Sequence, residues 1–148
     1  MIISTKGRYA LRVMLNLAER EGEDRYIPLK EIAEREEISE KYLEAIVKLL
    51  VSKNLLIGLR GKGGGYRLSK DPKDYSVGEI LRTTEGDLNV VACLADTADP
   101  CPHLSTCKTV PMWSKLDRMV NDFFDGISIA DLMNPQEEGT VFLEKVPE

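Results

Sequence analysis

Three cysteines and the only histidine of the chain, Cys93, Cys101, His103 and Cys107, fall within fifteen positions. Seven residues separate the first two thiols and five the last two. Thiolate sulfur beside an imidazole suits an iron–sulfur cluster or a Cys-Cys-Cys-His zinc site; alternatively two thiols form a redox pair and one is left over. The seven-residue gap is unlike the short knuckles of structural zinc. Residues 94–111 are rich in Pro, Asp, Ser and Thr and read as an irregular loop, with Cys93 at its entrance. So polar a loop gives no apolar reason to keep three cysteines.

A second group is the run Arg60-Gly61-Lys62-Gly63-Gly64-Gly65-Tyr66-Arg67-Leu68. Its glycines let the backbone turn tightly and approach another surface. Its three cations have no buried partner and point towards an anion. A Walker loop needs Gly-Lys-Ser/Thr leading into a helix, whereas this run leads into a strand. No Gly-x-Ser-x-Gly or His-x-Glu pattern is present, and Ser105 stands where a zinc deaminase needs glutamate. No catalytic residue is assigned, and an enzyme is not expected.

The elements that must position these groups follow from periodicity. A first helix is expected over Lys6–Glu21, with Ala10, Val13, Met14, Leu17 and Ala18 on one face. Pro28 opens a short second helix carrying Leu29, Ile32 and Ala33, and Glu36-Glu37-Ile38 forms a tight turn. Ser39 caps a third helix to about Lys53 that buries Leu43, Ile46, Val47 and Leu50. Two helices across such a turn describe a helix-turn-helix, although Glu37 replaces the usual glycine. Leu55 to Leu59 makes a strand, and the glycine-rich run returns as its partner, the wing of a winged helix. A Ser76–Glu79 capping box starts a helix that ends near Gly86. Pro111–Asp125 is an amphipathic helix whose stripe is Met112, Trp113, Leu116, Met119, Val120, Phe123 and Phe124. This stripe is either intramolecular core or a dimer seam; because the winged domain closes without it, it needs a partner surface, and a second copy is expected there. Ser128 caps a last short turn, and residues 134–148 read as a polar tail.

Charge is uneven: residues 1–75 carry 15 Lys/Arg against 12 Asp/Glu, and residues 76–148 carry 5 against 13. A mildly basic front suits a half that meets phosphate. No apolar run approaches the ~20 residues needed to span a bilayer, so no membrane partner and a cytoplasmic location are expected.

These residues together resemble the Rrf-two family of winged-helix transcription regulators. The resemblance runs from Met1 to about Met133 and is most specific in the wing, Arg60 to Leu68. Tyr9-Ala10-Leu11-Arg12, Ile27 to Ala33, Val77 to Ile80 and Glu85-Gly86 support it. It implies a fold that is mainly α with a small β-hairpin wing: a winged helix-turn-helix plus a long C-terminal dimerisation helix. It divides the chain into a DNA-binding domain (1–86), a cofactor loop (87–110), a dimerisation helix with its following turn (111–133) and the tail (134–148). It further implies a homodimer on a double-stranded DNA operator, the third helix in the major groove and the wing at the minor groove. Carried onto this chain, the DNA-binding residues are Ser39, Lys41, Tyr42, Lys48, Arg60, Lys62, Gly63 and Arg67. Arg8 and Arg12 are either phosphate contacts or partners of nearby glutamates. The cysteine loop resembles the iron–sulfur-binding (IscR/NsrR-like) branch, which implies a 2Fe–2S or 4Fe–4S cluster on Cys93, Cys101 and Cys107. That branch's histidine three residues after the third cysteine is Val110 here, so His103 is the candidate fourth ligand, with Asp96 or Asp99 behind it; an open iron position holding water or a small thiol also fits. The alternative is the same fold without a cluster, sensing through thiols, zinc, a metabolite or a partner protein.

Overall fold

The computed structural model describes residues 1–135; the tail expected beyond them lies outside the described residues. Helix α1 spans Thr5–Glu19 and is capped by Ser4, whose Oγ accepts the Gly7 N–H. Ser4 is itself held from far along the chain, donating its N–H and hydroxyl to the Glu85 carboxylate. A side chain at Gly7 would strike Glu85 and Leu81, so the helix that carries them lies directly on α1. Helix α2 (Leu29–Glu36) follows Pro28, and α3 (Glu40–Ser52) follows Ser39, whose Oγ accepts the Tyr42 N–H.

Between α2 and α3, Glu37 adopts φ 55°, ψ 41°, and its N–H caps Ala33. This left-handed conformation closes the helix-turn-helix but carries a steric cost that glycine avoids. Glu37→Gly is therefore expected to raise stability by about 0.5–1 kcal/mol. The midpoint of a urea unfolding curve reads this directly, and a fall would mean that the glutamate side chain contributes more than the strain costs.

Strands β1 (Leu56–Leu59) and β2 (Gly65–Leu68) pair antiparallel, Leu56 opposite Leu68 and Leu59 opposite Gly65. Ile27 adds a third backbone segment, exchanging two 2.9 Å hydrogen bonds with Tyr66. Gly65 permits this: it sits at φ 147°, and a Cβ there would collide with the Ile27 carbonyl. The Tyr75 side chain is fully buried beneath the hairpin. Its hydroxyl accepts the Ser69 and Lys70 N–H groups at 2.8 and 3.0 Å and donates to the Leu55 carbonyl at 2.7 Å. One side chain thus ties both ends of the wing together.

Helix α4 (Val77–Glu85) starts at Ser76, which accepts the Glu79 N–H. The Glu79 carboxylate does not complete the expected capping box; it pairs with Lys70 instead. Helix α5 (Val110–Asp125) follows the long loop, and α6 (Ile129–Met133) begins with a full Ser128–Asp131 capping box. The segment after α5 returns to the core: Ile129 donates to the Tyr75 carbonyl and Val77 to that of Ile127. Ile129 is completely buried and belongs to the same core as Val13, Met14, Leu43, Leu50 and Ile80. The result is a winged helix with an appended helix. Every apolar position predicted for the inner faces of α1 and α3 is buried.

Candidate nucleic-acid interface and cysteine loop

The arginines of α1, α2 and the segment that joins them are largely committed to carboxylates. Arg12 meets Glu36 at 3.0 Å and stacks on the Tyr9 ring, so it serves as a structural partner. Glu36 also accepts the Asn16 amide, tying α1 to the end of α2. Arg25 and Arg20 clamp Glu31 at 2.8 and 2.6 Å and pull its carboxyl down to about 2. Arg35 pairs with Glu19, and Arg8 reaches Thr5.

The expected DNA residues are different. Among the described residues, Lys41, Lys48, Arg60 and Lys62 make no ion pair. All four are exposed. Lys41 and Lys48 sit on the outward face of α3, and with Arg60 they line a groove of about 960 Å³ between that helix and the wing. Glu44 brings one carboxylate into the same groove. Ser39, Lys41 and Tyr42 meet at a second recess, where Lys6 joins them. Tyr42 is propped edge-on against Tyr9, with ring centroids 5.6 Å apart.

Lys62 and Gly63 occupy the exposed wing tip, Gly63 at φ 74°. Arg67 lies elsewhere. Adjacent strand residues point to opposite faces, and while Tyr66 lines the groove, Arg67 turns away onto the Tyr26 ring, 4.8 Å from its centroid. Two residues of this surface, Lys6 and Ala45, escaped the sequence reading. The helical spacing of 41, 45 and 48 could have revealed Ala45; the placement of Lys6 depends on the packing of α1 against α3.

The cysteine loop hangs between two anchors. At its entrance, Asp117 of α5 accepts the Val90 N–H at 2.9 Å and the Asn89 amide at 3.3 Å. The same amide reaches the Leu94 carbonyl, bracketing Cys93. At the far end of α5, Arg82 of α4 forks onto Asp125 at 2.8 and 2.9 Å and also reaches Asn121. Cys93 is exposed, Cys101 and Cys107 are half-buried, and all three are free thiols. The Thr109 hydroxyl and the Thr109 and Val110 amides lower the Cys107 thiol below its ordinary range.

This donor chemistry fits a soft metal centre. The expected gathering is not preformed, however: among the described residues no three His, Cys, Asp or Glu side chains are grouped to hold a metal ion. Holding one there requires the stretch between Cys93 and Cys107 to rearrange around it. On α5 itself no residue is buried, and Met112, Leu116, Met119 and Phe123 are 40–59% exposed.

Three comparisons bear on these features. The profile of the Rrf2 family, described as an iron-dependent transcriptional regulator, matches residues 3–135. The chain is 33% identical over 137 residues to the HTH-type transcriptional regulator IscR of Yersinia pseudotuberculosis, covering 93% of this chain and 82% of that protein. Among solved structures, CymR, the global cysteine regulator of B. subtilis, aligns with 32% identity and a TM-score of 0.73 over 93% of this chain and 99% of that one. The T. potens IscR structure aligns with 32% identity and a TM-score of 0.72 over 100% and 93%. No helix among the described residues is long and apolar enough to cross a membrane.

Proposed function

Because the chain belongs to the Rrf2 family of transcriptional regulators, we propose that it works as a homodimer whose operator binding responds to an iron–sulfur cluster held in the cysteine loop. The observation that carries the DNA face is the clustering of Lys41, Lys48, Arg60 and Lys62, exposed and without an ion pair, on α3 and the wing, beside Arg12, Arg20, Arg25 and Arg35, which carboxylates neutralise. Free cations release counterions from DNA when they meet phosphate. Helix α3 enters the major groove with Ser39, Lys41 and Tyr42 at its leading end, where side chains reach phosphates and base edges. The wing tip follows the backbone beside it. Two such faces, paired through the α5 stripes, read two half-sites of one operator.

Cys93, Cys101 and Cys107 would hold the cluster, 2Fe–2S or 4Fe–4S, with His103 as the fourth protein donor. When bound, it supplies a centre sensitive to iron supply and oxidation. The chain's own residues carry the response onward. Asp117 couples the loop entrance to α5, Arg82 couples α5 to α4, and α4 lies on α1 beneath the DNA face.

Lys62→Ala tests the wing. It removes one cation per protomer, so the slope of log affinity against log salt becomes shallower by about 1.8 for the dimer. An unchanged slope would take the wing out of the interface. The cluster is tested on protein purified without oxygen: broad sulfur-to-iron absorption with matching iron and sulfide is expected, and Cys101→Ala removes it while leaving a folded chain. A second reading, thiol sensing in the same fold, draws on the acidified Cys107 and on the similarity to CymR. A protein that stays colourless after reconstitution, yet whose DNA binding changes on oxidation, would favour that reading.

A further inference from the structure

Helix α3 buries Leu43, Ile46, Val47 and Leu50. At 100° per residue, the line opposite that face runs through Lys41, Ala45, Lys48 and Ser52. Ala45 stands exposed at the middle of this ridge and lines both the groove towards the wing and the recess towards Lys6. Its neighbours on the outward face, Lys41, Glu44 and Lys48, have long side chains that can swing aside to either flank. The helix axis can therefore come closest to an opposing surface at Ala45, and the group presented there is a bare methyl.

The floor of the major groove has one apolar feature, the C5-methyl group of thymine. Resting on the reading of α3 as the major-groove helix, we propose that Ala45 is a specificity-determining residue that packs against a thymine methyl and fixes one T·A pair in each half-site. Lys41 and Lys48, one turn before and one turn after, hold the backbone on either side and so set the register at which Ala45 meets the base edge. The contact covers about half of each of two methyl groups, one methyl's worth of apolar surface in all, and is expected to change affinity by about fourfold per half-site.

The test begins with duplexes selected from a random pool by the full-length protein. Each thymine of the enriched sequence is then replaced by deoxyuridine, which removes only the methyl group, and the dissociation constant is measured. One thymine per half-site should prove sensitive, with about a fourfold loss for one half-site and about sixteenfold for both. Ala45→Gly should bind the thymine duplex about fourfold more weakly per half-site and should no longer distinguish thymine from deoxyuridine there. The deoxyuridine scan uses the unaltered protein, so it stands whatever glycine does to the helix. If no replacement changes the affinity, or if Ala45→Gly keeps the full sensitivity, the assignment is wrong while the DNA reading survives. A pool with no enriched duplex would overturn both.

Discussion

Met119→Glu is expected to convert the protein to a folded monomer and to weaken operator binding by on the order of a hundredfold. Met119 is 59% exposed on the single chain, so its own fold does not depend on it. In a two-fold seam built from the α5 stripes, each substitution places a carboxylate against apolar surface and near its own symmetry mate. Burying an unpaired charge costs several kcal/mol, and each lost methionine contact removes about 1.5–3 kcal/mol more. A monomer reads one half-site at a time and loses the effective concentration that a linked pair provides, a factor of roughly 10² or more. Sedimentation and a duplex titration on the same preparation check both halves of this expectation. A dimer that persists would move the seam away from α5.

Tyr75→Phe is expected to cost about 3 kcal/mol of folding stability. The ring stays, and the cavity is no larger than one oxygen, so packing is nearly unchanged. What is lost is the hydroxyl that serves three backbone groups: two N–H donors at Ser69 and Lys70 and the buried Leu55 carbonyl. Each buried polar group left without a partner costs about 1–3 kcal/mol, part of which water recovers at the exposed strand end. The denaturation midpoint should fall while the urea dependence keeps its slope. The wing, untied at its base, should also protect its amides less well from exchange than α3 does. Wild-type stability in this variant would show that the hydroxyl is dispensable to the hairpin.

The helices were legible in the sequence because their cores repeat at short range. Val13, Met14 and Leu17, and likewise Leu43, Ile46 and Leu50, announce their inner faces by spacing alone. Ser39, Ser76 and Ser128 mark helix starts by local chemistry, and the wing is written in its glycines. What the sequence could not reveal depends on contacts made across the chain. The cap Ser4 is fixed by Glu85, eighty-one positions away, and Ile27 becomes a sheet segment only because Gly65 leaves room for it. Arg12 and Arg67 carry the same charge as Arg60, yet Glu36 engages the first and Tyr26 the second. A charge count does not distinguish a cation used for packing from one left for a ligand. The cysteine loop shows the converse limit: its donor types are plain in the sequence, whereas its folded backbone does not group them.

The most direct measurement for this account is the salt dependence of operator binding by the unaltered protein. The four unpaired cations of α3 and the wing, Lys41, Lys48, Arg60 and Lys62, would give eight phosphate contacts in the proposed dimer and a slope of about −7 in log affinity against log salt. A slope near that value would place the unpaired cations of α3 and the wing on the DNA backbone. A slope close to zero, or DNA binding that is indifferent to salt, would contradict the account.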